Sequence, residues 1–312
     1  MRSSRKIVIT GGLGYIGTEL INLFCPNGQI SDDEIIVIDN RFVPDKVSNL
    51  ISKKIKYYNK DILNLGGLLD GADIIYHLAG ITDVAYTNTE STPDKDALIR
   101  KVAVEGTREI IKKSPKYSKI IFPSTHVVYE GFTEAKLGII ENEEPCPKLA
   151  YAISKRQNEL DFMNGDRAFT ILRLASVYGY NSSIRLSIVP NLFSKMASQG
   201  QSIKLFGGGI NYKPLVGVTD VARFMEFVVK PRFDGEIFHL ANESLTVEEI
   251  ATVCANVYLE KTYHELPIIK TNDEIPNKGY TLSNKKILDT GFAFQHNLKH
   301  EVEKMISSWL NS

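Results

Sequence analysis

A tyrosine and a lysine four residues apart, in Tyr151-Ala-Ile-Ser-Lys155, stand in a stretch that reads as helix, so both side chains share one helix face. A phenol ionises near pH ~10, and a neighbouring ammonium lowers that value by favouring the phenolate. Base catalysis near neutral pH asks for a shift of roughly 2–3 units, or about 3–4 kcal/mol of differential stabilisation. Lys155 would supply part of it. Such a pair also arises by chance on an amphipathic helix surface, so its surroundings decide. Upstream, Ile120-Ile-Phe-Pro-Ser124-Thr125-His126-Val127-Val128-Tyr129 reads as a strand that ends in hydroxyl residues. A hydroxyl there would hold a substrate oxygen between itself and Tyr151, which completes an acid–base set; the other reading is that Ser124 and Thr125 cap a loop.

A second constellation lies at the start of the chain. Thr10-Gly11-Gly12-Leu13-Gly14-Tyr15-Ile16-Gly17 follows a first apolar run and opens a helix. At these spacings Gly11 permits the tight turn, Gly14 lets backbone approach a pyrophosphate, and Gly17 lets helix and strand pack closely. The helix N–H groups, around Tyr15 and Ile16, then receive the phosphates. Asp39, followed by Asn40, closes the second apolar run, where a carboxylate accepts the adenosine ribose hydroxyls and repels a 2′-phosphate; NAD is favoured over NADP. Arg41 would offset that repulsion, although an exposed arginine in a turn is usually just solvated. Asp61-Ile62 reads either as a contact to the adenine edge or as an ordinary polar strand end.

The elements that must position these groups recur with a clear rhythm. Short runs rich in Ile and Val span Lys6 to Thr10, Glu34 to Asp39, Asp73 to Leu78, Lys119 to Pro123, Phe169 to Leu174 and Glu236 to Ala241, with helix-like stretches between them. Near-continuous apolar runs are how parallel strands read when helices cover both faces. The expectation is an α/β fold, a Rossmann-type doubly wound parallel sheet with its ligand crevice beyond the carboxyl ends of the strands. Thr246-Val-Glu-Glu249 is a capping box ahead of Ile250, Val253, Cys254 and Val257. From about Tyr180 the rhythm loosens, and a smaller, discontinuous α/β lobe is expected. The division places 1–179 and about 215–243 in a cofactor domain, and about 180–214 and 244–312 in a substrate-binding lobe.

Composition narrows the partners. The chain has 312 residues, 43% apolar and 24% charged, which is globular. Lys+Arg and Asp+Glu are both 37, so no positive field collects nucleic acid or an anionic membrane surface. No apolar stretch approaches the roughly 20 residues that cross a bilayer, and Ile7-Val8-Ile9 gives way too soon to Thr10-Gly11 for a signal peptide. A cytoplasmic protein with a small-molecule partner is expected. Cys25, Cys146 and Cys254 are too dispersed for a disulfide framework or a zinc site. His296 and His300 are one helical turn apart, but no Glu follows the first as a metalloprotease helix requires, so they read as surface or capping residues and no metal is expected.

Taken in order, these residues resemble the extended short-chain dehydrogenase/reductase family, in its NAD-dependent nucleotide-sugar epimerase and dehydratase branch. The likeness runs from about Lys6 to Asn242: the glycine loop, Asp39, Asp61-Ile62, His77-Leu-Ala-Gly80, Val104-Glu-Gly-Thr107, Ser124-Thr125 with Val128-Tyr129, Tyr151 and Lys155, Arg173 through Val177-Tyr-Gly179, and Val218-Thr-Asp-Val-Ala222. The resemblance implies Tyr151 as acid–base, Lys155 as its electrostatic partner and ligand of the nicotinamide ribose, and Thr125 as the substrate-positioning hydroxyl. It places Leu78, Ala79 and Gly80 along the cofactor, and Thr82 and His126 toward the substrate. Ser176 and Ser187 stand where epimerases often carry Asn, and Lys213 where an Arg usually grips the nucleotide diphosphate; Lys brings charge without the bidentate fork. Ala103 replaces a usual Asn, and no Arg occurs in Asn272 to Tyr280. Dehydratases of this family follow the Thr or Ser with an Asp-Glu pair that drives water elimination, and here His126-Val127 follow. The implied activity is NAD-dependent epimerisation of a nucleotide sugar through a keto sugar with hydride return, in a homodimer formed through the helices around Asp96 to Lys113 and Ala150 to Phe162. A 4,6-dehydratase or an NAD(P)-dependent keto-sugar reductase is the alternative. A non-turning-over NAD sensor is disfavoured, because a sensor needs no acid–base pair.

Overall fold

The computed structural model describes residues 4–81, 92–132, 134–273 and 279–311. Thr82, expected at the substrate, lies outside the described residues. The strands are β1 (Lys6–Thr10), β2 (Glu34–Asp39), β3 (Lys56–Asn59), β4 (Ile74–His77), β5 (Lys119–Thr125), β6 (Lys136–Ile139), β7 (Ala168–Leu174), β8 (Ser176–Tyr178), β9 (Ile203–Leu205), β10 (Tyr212–Gly217), β11 (Glu236–Leu240), β12 (Glu243–Thr246), β13 (Ile268–Lys270) and β14 (Tyr280–Leu282). The helices are α1 (Tyr15–Phe24), α2 (Pro44–Ser52), α3 (Pro93–Arg100), α4 (Gly106–Lys113), α5 (Ala150–Met163), α6 (Val189–Ser198), α7 (Val218–Phe227), α8 (Val247–Thr262), α9 (Lys285–Asp289) and α10 (Leu298–Leu310).

Seven strands form one sheet in the order β11-β7-β5-β4-β1-β2-β3, as the Ile- and Val-rich runs predict. The pairings β1–β2, β1–β4, β2–β3 and β4–β5 are parallel. Strand order reverses beside β1, and the crevice at such a switch point is where a doubly wound sheet takes its ligand. All six strands expected from the sequence are present. β3 was not among them, because it is an edge strand with Lys56, Tyr58 and Asn59 reaching solvent and carries no continuous apolar run. Between α3 and α4 the chain makes a π-helical turn, Lys101–Glu105, that no residue pattern signalled.

The chain divides into two compact units. The first comprises Met1–Glu130, Pro145–Arg173 and Ala222–Phe238, and its core joins Val8, Ile36, Ile38, Ile75, Ile120, Phe122, Phe162 and Ile171. The second comprises Gly131–Glu144, Leu174–Val221 and His239–Ser312. It has three small sheets, β12-β10-β8, β13-β9 and β14-β6, and a core of Phe193, Leu215, Ile250, Cys254, Val302 and Ile306 from α6, α8, α10 and their strands. The capping box at Thr246 is formed, with Glu249 reciprocating to the Thr246 backbone N–H. No helix among the described residues is long and apolar enough to cross a membrane.

The first crossover depends on bare backbone. A Cβ on Gly17 would fall 2.6 Å from Gly12 Cα, a contact with main chain that has no rotamer to yield. A Cβ on Gly80 meets nothing within 4 Å. Gly17→Ala is therefore expected to cost the ligand-free protein about 1–3 kcal/mol in urea denaturation, and Gly80→Ala to stay within about 0.5 kcal/mol of the parent. Equal stability of the two variants would disprove the close approach.

Candidate active site

The glycine loop sits between β1 and α1 with its anion-receiving end open. Gly14 is the N-cap of α1; no side chain caps the helix, and no acidic residue stands in its first turn. Leading N–H groups and the positive end of the helix dipole thus remain suited to phosphate oxygens. A Cβ on Gly14 would meet only Gly11 O at 3.1 Å and Arg41 Nη2 at 3.8 Å, so glycine keeps the space above the turn clear. Gly11, at φ +68°, does more than turn the chain: a Cβ there would lie 2.7 Å from Ala79 N. Thr10 Oγ1 secures this seam, accepting from Ala79 N at 3.2 Å and lying 2.9 Å from His77 Nδ1. Tyr15 is buried and Ile16 half-buried; Leu78 and Ala79 are half-buried beyond β4, with Gly80 exposed. The cradle fits a dinucleotide pyrophosphate.

Asp39 ends β2 almost fully buried. Its Oδ2 accepts from Leu13 N and its Oδ1 from Arg41 N, both at 3.0 Å. Arg41 is more than a solvated turn residue: its Nε and Nη2 reach the same carboxylate at 3.2 and 3.3 Å. Spacing of two along the chain brings the guanidinium back over a carboxylate already fixed by Leu13. Because the Arg41 side chain is 56% exposed, this pair is worth at most about 1 kcal/mol and exchanges readily for ribose hydroxyls. Lys46 donates to Leu13 O at 3.1 Å, and burial, with repulsion from Arg41, holds its pKa below the usual lysine range. Asn40 is exposed beside this corner. Asp61 accepts from Leu63 N in its own turn, and buried Ile62 fills the space below Gly106, where a Cβ would come 2.3 Å from Ile62 Cδ1.

Tyr151 lies in the first turn of α5, half-buried, and the Lys155 ammonium is 6.0 Å from its ring centroid. Lys155 is buried, donates to Pro123 O at 2.7 Å and stands 4.5 Å from the Phe122 ring centroid. Burial pushes its pKa down to about 8, against the opposing pull of the Glu159 charge. It is still a cation at neutral pH, held close to its neutral form. Thr125 ends β5, its Oγ1 accepting from Val127 N at 3.3 Å, so the hydroxyl caps the turn over His126–Tyr129 and keeps its proton to donate. Both readings of this hydroxyl are therefore compatible in one geometry. His126, in that turn, is half-buried.

One group escaped the sequence reading. Glu159, one turn beyond Lys155, is fully buried and accepts from Ser124 Oγ at 2.6 Å, from Arg173 Nε and Nη2 at 3.0 and 2.9 Å, and from Arg156 Nη1 at 3.1 Å. Arg173 also donates to the Tyr129 hydroxyl. The four-residue step from Lys155 to Glu159 was the available signal, since it marks a second polar residue on the inward face. His77, buried between Thr10 and Thr107, is pushed down to about pKa 3 by burial, with Lys155 adding repulsion, and is neutral.

In the second unit, Ser176 of β8 pairs in register with Leu215 of β10, and Lys213 of β10 with Leu245. Lys213 is half-buried, burial lowers its pKa, and among the described residues no carboxylate pairs with it. A desolvated ammonium without a counter-charge suits an anionic ligand. Ser187 is exposed in the segment before α6.

Glu159→Gln should cost about 3–5 kcal/mol in chemical denaturation, because it strands the Arg173 guanidinium in the interior. Arg173→Met combined with Glu159→Gln should cost less than the sum of the single changes, the mark of a coupled pair. Additive losses would show that the two side chains do not depend on each other.

With this geometry in place, known proteins give a consistent comparison. The family described as NAD dependent epimerase/dehydratase matches residues 7–241. The chain is 24% identical over 264 residues to a UDP-N-acetyl-alpha-D-glucosaminuronate decarboxylase of Bacillus cytotoxicus, covering 79% of this chain and 78% of that one. It is 25% identical over 265 residues to a dTDP-glucose 4,6-dehydratase of Streptomyces niveus, covering 79% and 75%. Among solved structures, UDP-glucuronic acid 4-epimerase of Bacillus cereus, in complex with UDP-glucuronic acid and NAD, superposes with a TM-score of 0.80 at 21% identity over 98% of this chain and 99% of that one. The fold is thus that of this 4-epimerase. By the match across its glycine loop, sheet and Tyr-Lys helix, the chain belongs to the NAD-dependent epimerase/dehydratase family.

Proposed function

We propose that this protein is an NAD-dependent nucleotide-sugar epimerase, with the cofactor held by the first unit and Ser176, Ser187 and Lys213 of the second serving the sugar nucleotide. The observation that carries the reading is the buried Lys155 cation beside Tyr151 on α5, with the Thr125 hydroxyl ending β5 and no carboxylate in the two residues after it. The glycine loop, with Tyr15 and Ile16 opening α1, would hold the NAD pyrophosphate; Asp39, with Asn40, would hold the adenosine ribose, and Leu78, Ala79 and Gly80 would line the cofactor. Asp61 and Ile62 would stand toward the adenine. Bound NAD supplies a two-electron acceptor and donor.

The remaining steps belong to the chain. Tyr151 takes the sugar hydroxyl proton and later returns it; Lys155 favours the phenolate and would hold the nicotinamide ribose; Thr125 donates to the reacting oxygen; and His126 faces the sugar. Lys213 meets the diphosphate as a point charge. Water elimination needs an acid and a base beyond this set, and His126-Val127 offer no carboxylate for it. Leu98 and Ile153, apolar and exposed on α3 and α5, support a homodimer through those helices. A cytoplasmic location accords with the dispersed free thiols.

The test is a panel of UDP- and dTDP-sugars incubated with NAD in deuterated water and followed by mass and NMR. Interconversion of stereoisomers without net NADH is expected, and Tyr151→Phe should abolish it while NAD binding persists. Loss of water would make the enzyme a dehydratase, release of carbon dioxide a decarboxylase, and stoichiometric NADH consumption a reductase. Full turnover by Tyr151→Phe would remove the tyrosine from the mechanism.

A pH dependence follows from Lys155. Because its folded pKa is about 8, kcat/KM should fall as pH rises through that value and the cation is lost. Stability should move the other way. An unfolded lysine titrates near ~10.4, so between about pH 8 and 10 the unfolded chain holds the extra proton and this group's contribution to folding rises with pH. Profiles of kcat/KM and of the denaturation midpoint over that window check both signs; a flat rate profile would detach Lys155 from catalysis.

A further inference from the structure

The second unit gathers two imidazoles and a carboxylate that the proposed reaction does not use. His296 precedes Asn297, the N-cap of α10, and His300 and Glu301 lie in the first turn of that helix. The sequence reading leaves the two histidines as surface or capping residues, because the carboxylate follows the second and not the first. The ligand-capable atoms of His296, His300 and Glu301 all lie within 4.8 Å of one another. His296 Nδ1 is 2.8 Å from Glu301 Oε1, and the two imidazole centroids are 6.0 Å apart.

We propose that His296, His300 and Glu301 form a binding site for a divalent transition-metal ion of the zinc class. The donor set selects the metal: two imidazoles and one carboxylate suit zinc, whereas magnesium and calcium take oxygen ligands. Two of the three ligands are already fixed. The His296 N–H donates to buried Asp220 Oδ2 at 3.0 Å, and its carbonyl accepts from Asn242 Nδ2 at 2.9 Å. The Glu301 side chain is only 4% exposed, and its Oε2 sits where a Cβ on Gly179 would come within 3.0 Å. Metal–ligand bonds of about 2.0–2.2 Å in a tetrahedron place donor atoms about 3.3 Å apart. Rotation of the exposed His300 ring closes the wider gap, and a water completes the coordination.

Two features set the affinity. Lys304 Nζ lies 2.8 Å from Glu301 Oε1, so an ammonium competes for the same oxygen, and the positive end of the α10 dipole opposes a cation. Both weaken binding relative to an unopposed site of the same ligands, and bound metal staples the segment before α10 to that helix. This site is independent of the epimerase reading.

The experiment uses the full-length protein without an affinity tag, stripped with EDTA, in equilibrium dialysis against zinc chloride with the metal counted by mass spectrometry. Saturable binding is expected, weakened about tenfold or more by His296→Asn and by His300→Gln. Zinc should raise the melting temperature of the parent by about 2–4 °C and leave that of His300→Gln unchanged. Because His300 is exposed, His300→Gln tests the site without disturbing the core. Lys304→Ala should tighten binding by removing the competitor. No saturable binding below about 1 mM, binding that survives His300→Gln, equal affinity for magnesium, or an affinity unmoved by Lys304→Ala would each overturn the site.

Discussion

The buried Glu159 carboxylate is the constraint on which the arrangement around Tyr151 and Lys155 in the first unit depends. It ties three elements together: α5, which carries Tyr151 and Lys155; β5, through Ser124, the residue before Thr125; and β7, through Arg173. A buried ion pair gains little net stability over an apolar substitute, since desolvation consumes most of the attraction. Its value here is geometric. Both oxygens of Glu159 accept from Arg173 on β7, and Oε1 also from Ser124 on β5, so the helix cannot slide along the sheet without stranding a charge, and the Lys155 ammonium is held against the end of β5.

The same unit builds its cofactor cradle by contact between bare backbones. Gly17 lies on Gly12, and Gly11 on the segment after β4, where neutral His77 and Thr10 hold the seam through hydrogen bonds that a charged imidazole would rearrange. Burial keeps His77 neutral, and the nearby Lys155 cation reinforces that state. The Lys155 cation and the glycine-loop seam are thus electrostatically joined: the charge that stands beside Tyr151 also helps to keep the supporting histidine uncharged.

Charge compensation separates committed residues from those available to ligands. Arg41 neutralises Asp39 through an exposed pair that is broken at small cost. Lys213 has lost much of its water, and among the described residues no carboxylate replaces it. The first arrangement is a self-paired site and the second an unmet charge, and both are expressed in side chains that a composition of 37 basic and 37 acidic residues conceals.

Much of this was legible in the chain itself. Continuous Ile and Val runs dictate strands buried on both faces, so the parallel sheet followed from hydrophobic pattern alone, and the glycine spacing and the Tyr151–Lys155 step followed from the fixed geometry of a turn and a helix. β3 was hidden because an edge strand needs little apolar cover, and the π-turn because it depends on packing and not on local composition. Long-range pairing was hidden for a deeper reason. Glu159 and Arg173 are two polar residues among many until the fold buries them face to face, and Arg41 is an ordinary turn residue until Asp39 is fixed by Leu13. Local sequence determined which elements form and which chemical groups they carry; only tertiary structure decided which charges lost their water, and it is that loss that gives each charge its partner.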